Sequence, residues 1–190
     1  MKRQLDIEYV NKCKPDFVGF IINFPKSHRN LKPEQVKELA QGLDEGISKV
    51  GVFVNQPAEL VAELLNSNVI DIAQLHGKED NDYIEQLKQM TTKKIWQAVI
   101  VRQEDDLDKA EASKADFVLL DAGQGSGQVF DWALLAKLNR KFALAGGLNQ
   151  ENLKDALQTD AVLLDVSGGV ETGNFKDLEK IQKFINTIRK

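Results

Sequence analysis

Short runs rich in Val, Ile and Phe alternate along this chain with longer amphipathic stretches, and this alternation constrains the fold more than any other feature. It is the pattern of parallel strands buried on both faces and covered by helices. Strands are predicted at Phe17–Ile22, Lys49–Val54, Ile72–His76, Lys94–Val101, Phe117–Asp121, Phe142–Ala145 and Val162–Val166. Helices are predicted after each of them, at Pro33–Leu43, Pro57–Leu65, Asn81–Met90, Glu104–Ala112, Asp131–Lys137, Gln150–Leu157 and Leu178–Ile188. An eighth helix, Arg3–Lys14, precedes them all, with Leu5, Tyr9, Val10 and Cys13 on one face. Pro33 and Pro57 suit first-turn positions, Asn81 and Asn149 are candidate N-caps, and Asp131 can cap or open its helix.

Repeated strand–helix alternation admits an open doubly wound sheet or a closed barrel of eight units. The count, and a spacing of roughly 20 to 25 residues per unit, favour the barrel. The expectation is an α/β fold, a (β/α)8 TIM barrel in one domain over residues 1–190, with seven strands, eight helices and its first strand lacking.

At 190 residues the chain can bury a core without disulfides or metal clips. A net charge of −4, with 25 basic residues interleaved among 29 acidic ones, argues against a nucleic-acid partner, which requires clustered Lys and Arg. The lone Cys13 makes no internal disulfide, no apolar run reaches the length of a membrane span, and the first residues lack the apolar stretch of a signal peptide. A cytoplasmic protein is therefore expected. With two histidines and no cysteine cluster, a metal site is not expected.

Three strand ends carry similar chemistry: Asp121-Ala122-Gly123-Gln124-Gly125-Ser126-Gly127, Ala145-Gly146-Gly147-Leu148-Asn149 and Asp165-Val166-Ser167-Gly168-Gly169. Barrel active sites lie at these carboxyl ends, and the loops after the last two strands commonly hold phosphate. Gly146 and Gly147, with Ser167 and Gly168, would let backbone N–H groups approach an anion, although glycine also serves tight turns. Asp121 ends an apolar strand, where desolvation favours general acid work; it and Asp165 can equally cap a loop through backbone amides. Arg29 follows the first predicted strand and can grip a carboxylate with its fork or remain a solvated surface group. His76 is either a polar site group or a structural hydrogen-bonding residue.

Taken in order, Gly19-Phe20, Ser27-His28-Arg29, Val50-Gly51-Val52-Phe53-Val54-Asn55, Gln74-Leu75-His76-Gly77, Gly125-Ser126-Gly127 with Phe130-Asp131-Trp132, Ala145-Gly146-Gly147-Leu148, and Asp165-Val166-Ser167 with Gly169-Val170-Glu171 resemble the phosphoribosylanthranilate isomerases nearly from end to end. The resemblance implies an enzyme of tryptophan biosynthesis, a monomer or homodimer working without metal or organic cofactor. Its reaction would be an Amadori rearrangement of a small sugar phosphate, N-(5-phosphoribosyl)anthranilate.

By the same resemblance Asp121 protonates the ribose ring oxygen and Arg29 holds the anthranilate carboxylate. The loops at Gly146-Gly147 and Ser167-Gly168 hold the phosphate, with His76 also on the substrate. The family's general base is a Cys on a first strand that this chain lacks, so a late start and impaired activity are expected. Cys13 is expected to pack in the core rather than replace that base. Gly168 stands where the family usually has a second Ser. Two other readings remain: a non-catalytic phosphate-binding barrel or decayed copy, and another sugar-phosphate isomerase or epimerase using Asp121 with Asp165.

Overall fold

The computed structural model describes residues 1–121 and 132–189. The chain opens on α1 (Gln4–Cys13), which leads to β1 (Phe17–Ile22), β2 (Asn30–Leu31), α2 (Pro33–Ala40), β3 (Ser48–Phe53) and α3 (Ala58–Asn66). It continues through β4 (Ile72–Leu75), α4 (Asn81–Met90), β5 (Lys94–Ile100), α5 (Asp106–Glu111) and β6 (Phe117–Asp121). A 3-10 helix (Trp132–Lys137), β7 (Phe142–Ala145), α6 (Leu153–Ala156) and β8 (Leu163–Leu164) follow. A second 3-10 turn (Gly168–Val170), the hairpin strands β9 (Glu171–Thr172) and β10 (Phe175–Lys176), and α7 (Leu178–Ile188) close the chain.

Strands β1 to β8 form one parallel, curled sheet in the order β2-β1-β3-β4-β5-β6-β7-β8. This corrects the expected count of seven strands to eight. The addition is Asn30–Leu31, which pairs with Ile21 and Ile22 on the outer edge of β1. Two residues between loop signals carry no period-two pattern, so sequence reading misses such a strand. The last strand is shorter than its apolar run: only Leu163 and Leu164 pair with β7. Among the described residues no ladder joins β8 to β2.

Burial explains why these runs became strands. All four residues of β4 and all four of β7 are buried, as expected for strands sandwiched between two layers. Inside the curl, Val50, Ile72, Trp96, Leu119 and Ala143 pack together. Phe17 and Phe117 flank the Trp96 ring at centroid distances of 5.1 and 5.2 Å. Outside it, one cluster packs α1 to α4 on the sheet around Ile7, Val36, Phe53, Leu65 and Ile84. Another packs the later helices around Leu120, Phe142, Leu153, Ile181 and Phe184.

Pro33 takes the first turn of α2 as expected. The α4 cap is Asp80, not Asn81: its carboxylate accepts the N–H of Tyr83. Asn149 accepts the N–H groups of Glu151 and Asn152, while the residue flanking α6 is Asn152. Asp131 and the glycine loop at 122–127 lie outside the described residues. Cys13 sits half-buried beside the α7 cluster, where burial pushes its thiol pKa up.

Candidate active site

Parallel pairing brings the carboxyl ends of β1 and β3 to β8 to one rim, and the candidate residues lie there. Asp121 ends β6 and His76 directly follows β4; His76 Nε2 is 3.1 Å from Asp121 Oδ2. Burial pulls the imidazole pKa down, but the hydrogen bond and charge of Asp121, then the charges of Asp165 and Glu79, outweigh it and leave the pKa raised. Asp165 follows β8, with its N–H on the Leu144 carbonyl. Burial and the negative charge of Asp121 push its carboxyl pKa up against the pull of His76 and Lys176.

The turn that follows His76 is tied by a polar knot. Buried Glu79 accepts the N–H of Asn55 at 2.5 Å and of Gly77 at 2.8 Å, and Asn55 Oδ1 accepts the N–H of Lys78 at 2.7 Å. A Cβ on Gly77 would stand 2.5 Å from Asn55 Oδ1, so only glycine fits beside this knot. Sequence reading assigned Glu79 no role, because its partners lie across two strand ends.

The loops after β7 and β8 meet backbone to backbone. Gly146 and Gly147 have φ of 84° and 68°, the left-handed region that side chains resist. A Cβ on Gly169 would fall 2.0 Å from the Leu148 carbonyl oxygen, whereas one on Gly147 would meet nothing within 4 Å. The loop of Gly146 and Gly147 is thus locked against that of Ser167, Gly168 and Gly169. Gly147, Ser167 and Gly168 are exposed at the rim.

Arg29 lies at this same end, against Gly168. Its guanidinium is part-buried and forks onto Glu171, with Nε and Nη2 on Oε1 and Oε2 at 2.7 and 2.6 Å. Nη1 makes no hydrogen bond among the described residues. Lys176 completes the cluster, giving its Nζ protons to Glu171 Oε1 at 2.9 Å and to the Ser167 carbonyl at 2.8 Å. Burial works against the Glu171 charge, yet Arg29 and Lys176 hold its carboxyl pKa down at about 2. Burial lowers the Lys176 pKa, with Glu171 opposing. Glu171 was visible only within a motif, and Lys176 had no sequence signal.

The rim therefore offers an aspartate carboxyl paired with an imidazole, a second carboxyl with raised pKa, and glycine backbone able to approach an anion. That combination suits proton transfer on a phosphorylated small molecule.

Comparison with known proteins points the same way. Residues 2–187 match the family model described as N-(5'phosphoribosyl)anthranilate (PRA) isomerase. The chain is 39% identical over 197 aligned positions to N-(5'-phosphoribosyl)anthranilate isomerase of Thermoanaerobacter pseudethanolicus, and 42% identical over 200 to that of Clostridium acetobutylicum. In both cases all of this chain is covered, with 95% of the relative. The crystal structure of the Thermotoga maritima phosphoribosyl anthranilate isomerase superposes with a TM-score of 0.86 at 30% identity, covering 100% of this chain and 95% of that one. A phosphoribosyl anthranilate isomerase solved with reduced 1-(o-carboxyphenylamino)-1-deoxyribulose 5-phosphate gives 0.85 at 29% identity, with the same coverage.

Proposed function

The chain belongs to the N-(5'-phosphoribosyl)anthranilate isomerase family, and from that membership we propose that it isomerises N-(5'-phosphoribosyl)anthranilate to the carboxyphenylamino-deoxyribulose phosphate in tryptophan biosynthesis. The observation that carries this reading is the Asp121–His76 contact on the rim that also bears the two glycine loops. Impairment through a missing strand forms no part of it, since eight parallel strands are present and the chain spans 95% of these relatives.

In this reading the phosphate docks on backbone N–H groups of Gly146, Gly147 and Gly168 with the Ser167 side chain. The anthranilate carboxylate reaches Nη1 of Arg29, whose other edge is fixed by Glu171. Asp121 gives its proton to the ribose ring oxygen; the C1–O bond breaks toward that oxygen and the nitrogen lone pair forms an iminium at C1. A base then removes the C2 proton, and the resulting enol amine becomes the ketone. Cys13 takes no part in these steps, since it packs on α1 against the α7 cluster. We assign proton removal to Asp165, whose raised pKa brings a carboxylate nearer the range of an effective base.

No metal or organic cofactor enters these steps. Among the described residues no helix is long and apolar enough to cross a membrane, and we place the enzyme in the cytoplasm. The T. maritima relative is described as dimeric, and light scattering decides between monomer and homodimer here. The activity test is conversion of N-(5'-phosphoribosyl)anthranilate by the purified chain, followed chromatographically. The reading expects turnover that falls in Asp121→Asn and in Asp165→Asn; turnover untouched by Asp121→Asn would overturn it.

A further inference from the structure

Behind the imidazole lies Gln74. It sits two residues before His76 in the β4 run, so the two side chains share a face of the sheet, and it is only 5% exposed. Its Nε2 is 3.3 Å from His76 Nδ1, while Nε2 of the same ring meets Asp121 Oδ2 at 3.1 Å. The ring thus bridges a buried amide and the acid.

An amide N–H can only donate, so the His76 Nδ1 facing it must accept, and the single proton of the neutral ring then lies on Nε2, aimed at Asp121. We propose that Gln74 is a positioning residue that fixes this tautomer and so keeps the transferable proton of the His76–Asp121 pair on the Asp121 carboxyl. The proposal rests on the reading of Asp121 as the acid.

One proton added to the pair has two places to go: the ring, giving imidazolium beside carboxylate, or the carboxyl, giving neutral imidazole beside carboxylic acid. The three carboxylates that act most on the ring favour imidazolium: Asp121 from β6, Asp165 from the loop after β8, and Glu79 from the loop after β4. Left to these charges and the opposing burial, the ring would take the proton. Imidazolium, however, needs an N–H on Nδ1, which, with the amide nitrogen turned to the ring as the structure places it, would set donor against donor until the buried amide turned over. The proton is therefore directed to Asp121. One carboxyl oxygen then carries the proton while Oδ2 accepts His76 Nε2–H. On transfer the O–H bond breaks, the proton passes to the ring oxygen, and the carboxylate left behind is stabilised by the same Nε2–H.

The test is the 15N spectrum of His76 together with turnover. The chain has two histidines, and the signals lost in His76→Gln identify the right one. At neutral pH the wild type should show the Nε2–H tautomer. Gln74→Glu, which places an acceptor where the donor stood, should raise the His76 pKa by at least one unit. It should also lower kcat about tenfold, with KM little changed. Gln74→Met, which removes the donor at similar length, should give mixed tautomers and a smaller loss of kcat, and it carries the test if the glutamate variant fails to fold. Protonated Nδ1 in the wild type, or an unchanged tautomer in Gln74→Met, overturns the proposal whatever the turnover. Expected spectra in a wild type that does not turn over the substrate overturn the isomerase reading and leave the tautomer assignment standing.

Discussion

Around the ends of β4 and β6 the rim presents side chains, whereas around β7 and β8 it presents backbone. Gln74, His76 and Asp121 form a short line of polar groups, each contacting the next. On the other side Gly146, Gly147 and Gly169 bring main chain to the surface, and the charged residues nearby are spent on one another as Arg29–Glu171–Lys176. The difference matches the two tasks proposed for the rim. Moving a proton needs a group whose pKa can be tuned by its neighbours, while gripping an anion needs several donors at close range, which backbone supplies without side-chain entropy. The charge cluster serves as scaffold, tying the loop after β1 to the loop after β8 across the unpaired side of the sheet.

If this division is correct, the largest effect comes from the side-chain half. Asp121→Asn should cost about 10²- to 10⁴-fold in kcat with KM nearly unchanged, since a positioned acid contributes about that much. Steady-state kinetics checks it, and a rise in KM alone would erase the distinction between the two halves.

Next in size is the scaffold. Glu171→Ala leaves buried Lys176 and part-buried Arg29 without their counter-charge, and removing one member of a buried ionic cluster costs about 3–5 kcal/mol. Denaturant unfolding reads this directly. The pH dependence has a definite sign. The folded-state pKa of Glu171, about 2, lies below its ordinary 4.5, so its contribution is full above 4.5 and is lost as pH falls toward 2. The wild type should lose more stability than Glu171→Ala across that window.

The two halves also differed in how much of them could be read in the sequence. Strands Phe17–Ile22, Phe117–Asp121 and Phe142–Ala145 fell where their apolar runs predicted, because burial on both faces leaves a continuous apolar signal. Asp121, His76 and the glycine loops were legible because each sits in a short string at a strand end. The Arg29–Glu171 pair was not, since its members are 142 residues apart and meet only once the sheet has curled. For the same reason the residues left Arg29 open between a carboxylate grip and a solvated surface group: its internal partner leaves no mark near it in the chain. Asn30–Leu31 and the hairpin of β9 and β10 are two-residue pairings, too short to show alternation.

Third in size is Gly169→Ala. Its Cβ would stand 2.0 Å from the Leu148 carbonyl oxygen and 2.8 Å from the Asn149 Cα, both backbone, so the two loops must separate. Overpacking of this kind costs about 1–3 kcal/mol or more. The comparison expects its functional cost in affinity for inorganic phosphate rather than in the tautomer of His76, and an unshifted phosphate isotherm would break it.

The smallest expected effect sharpens the comparison most, because it comes from the adjacent residue. Gly168 has no left-handed φ, and a Cβ there would meet only Arg29 Nη2, at an ordinary 3.7 Å. Gly168→Ser should therefore change stability by less than about 0.5 kcal/mol, as a substitution away from core, cap and charge usually does. The added hydroxyl stands at the exposed rim, at the position where the family usually carries serine. There it can donate to an anion held by the backbone beside it, a neutral hydrogen bond worth about 0.5–1.5 kcal/mol, or about two- to twelvefold in affinity. Titrating wild type, Gly168→Ser and Gly169→Ala with inorganic phosphate, each beside its unfolding curve, reads both terms at once. The backbone account of this half requires tighter phosphate binding and an intact fold at 168, with weaker binding and a damaged fold at 169. Equal behaviour at the two positions would mean that the close approach of the loops after β7 and β8 does not shape the anion site.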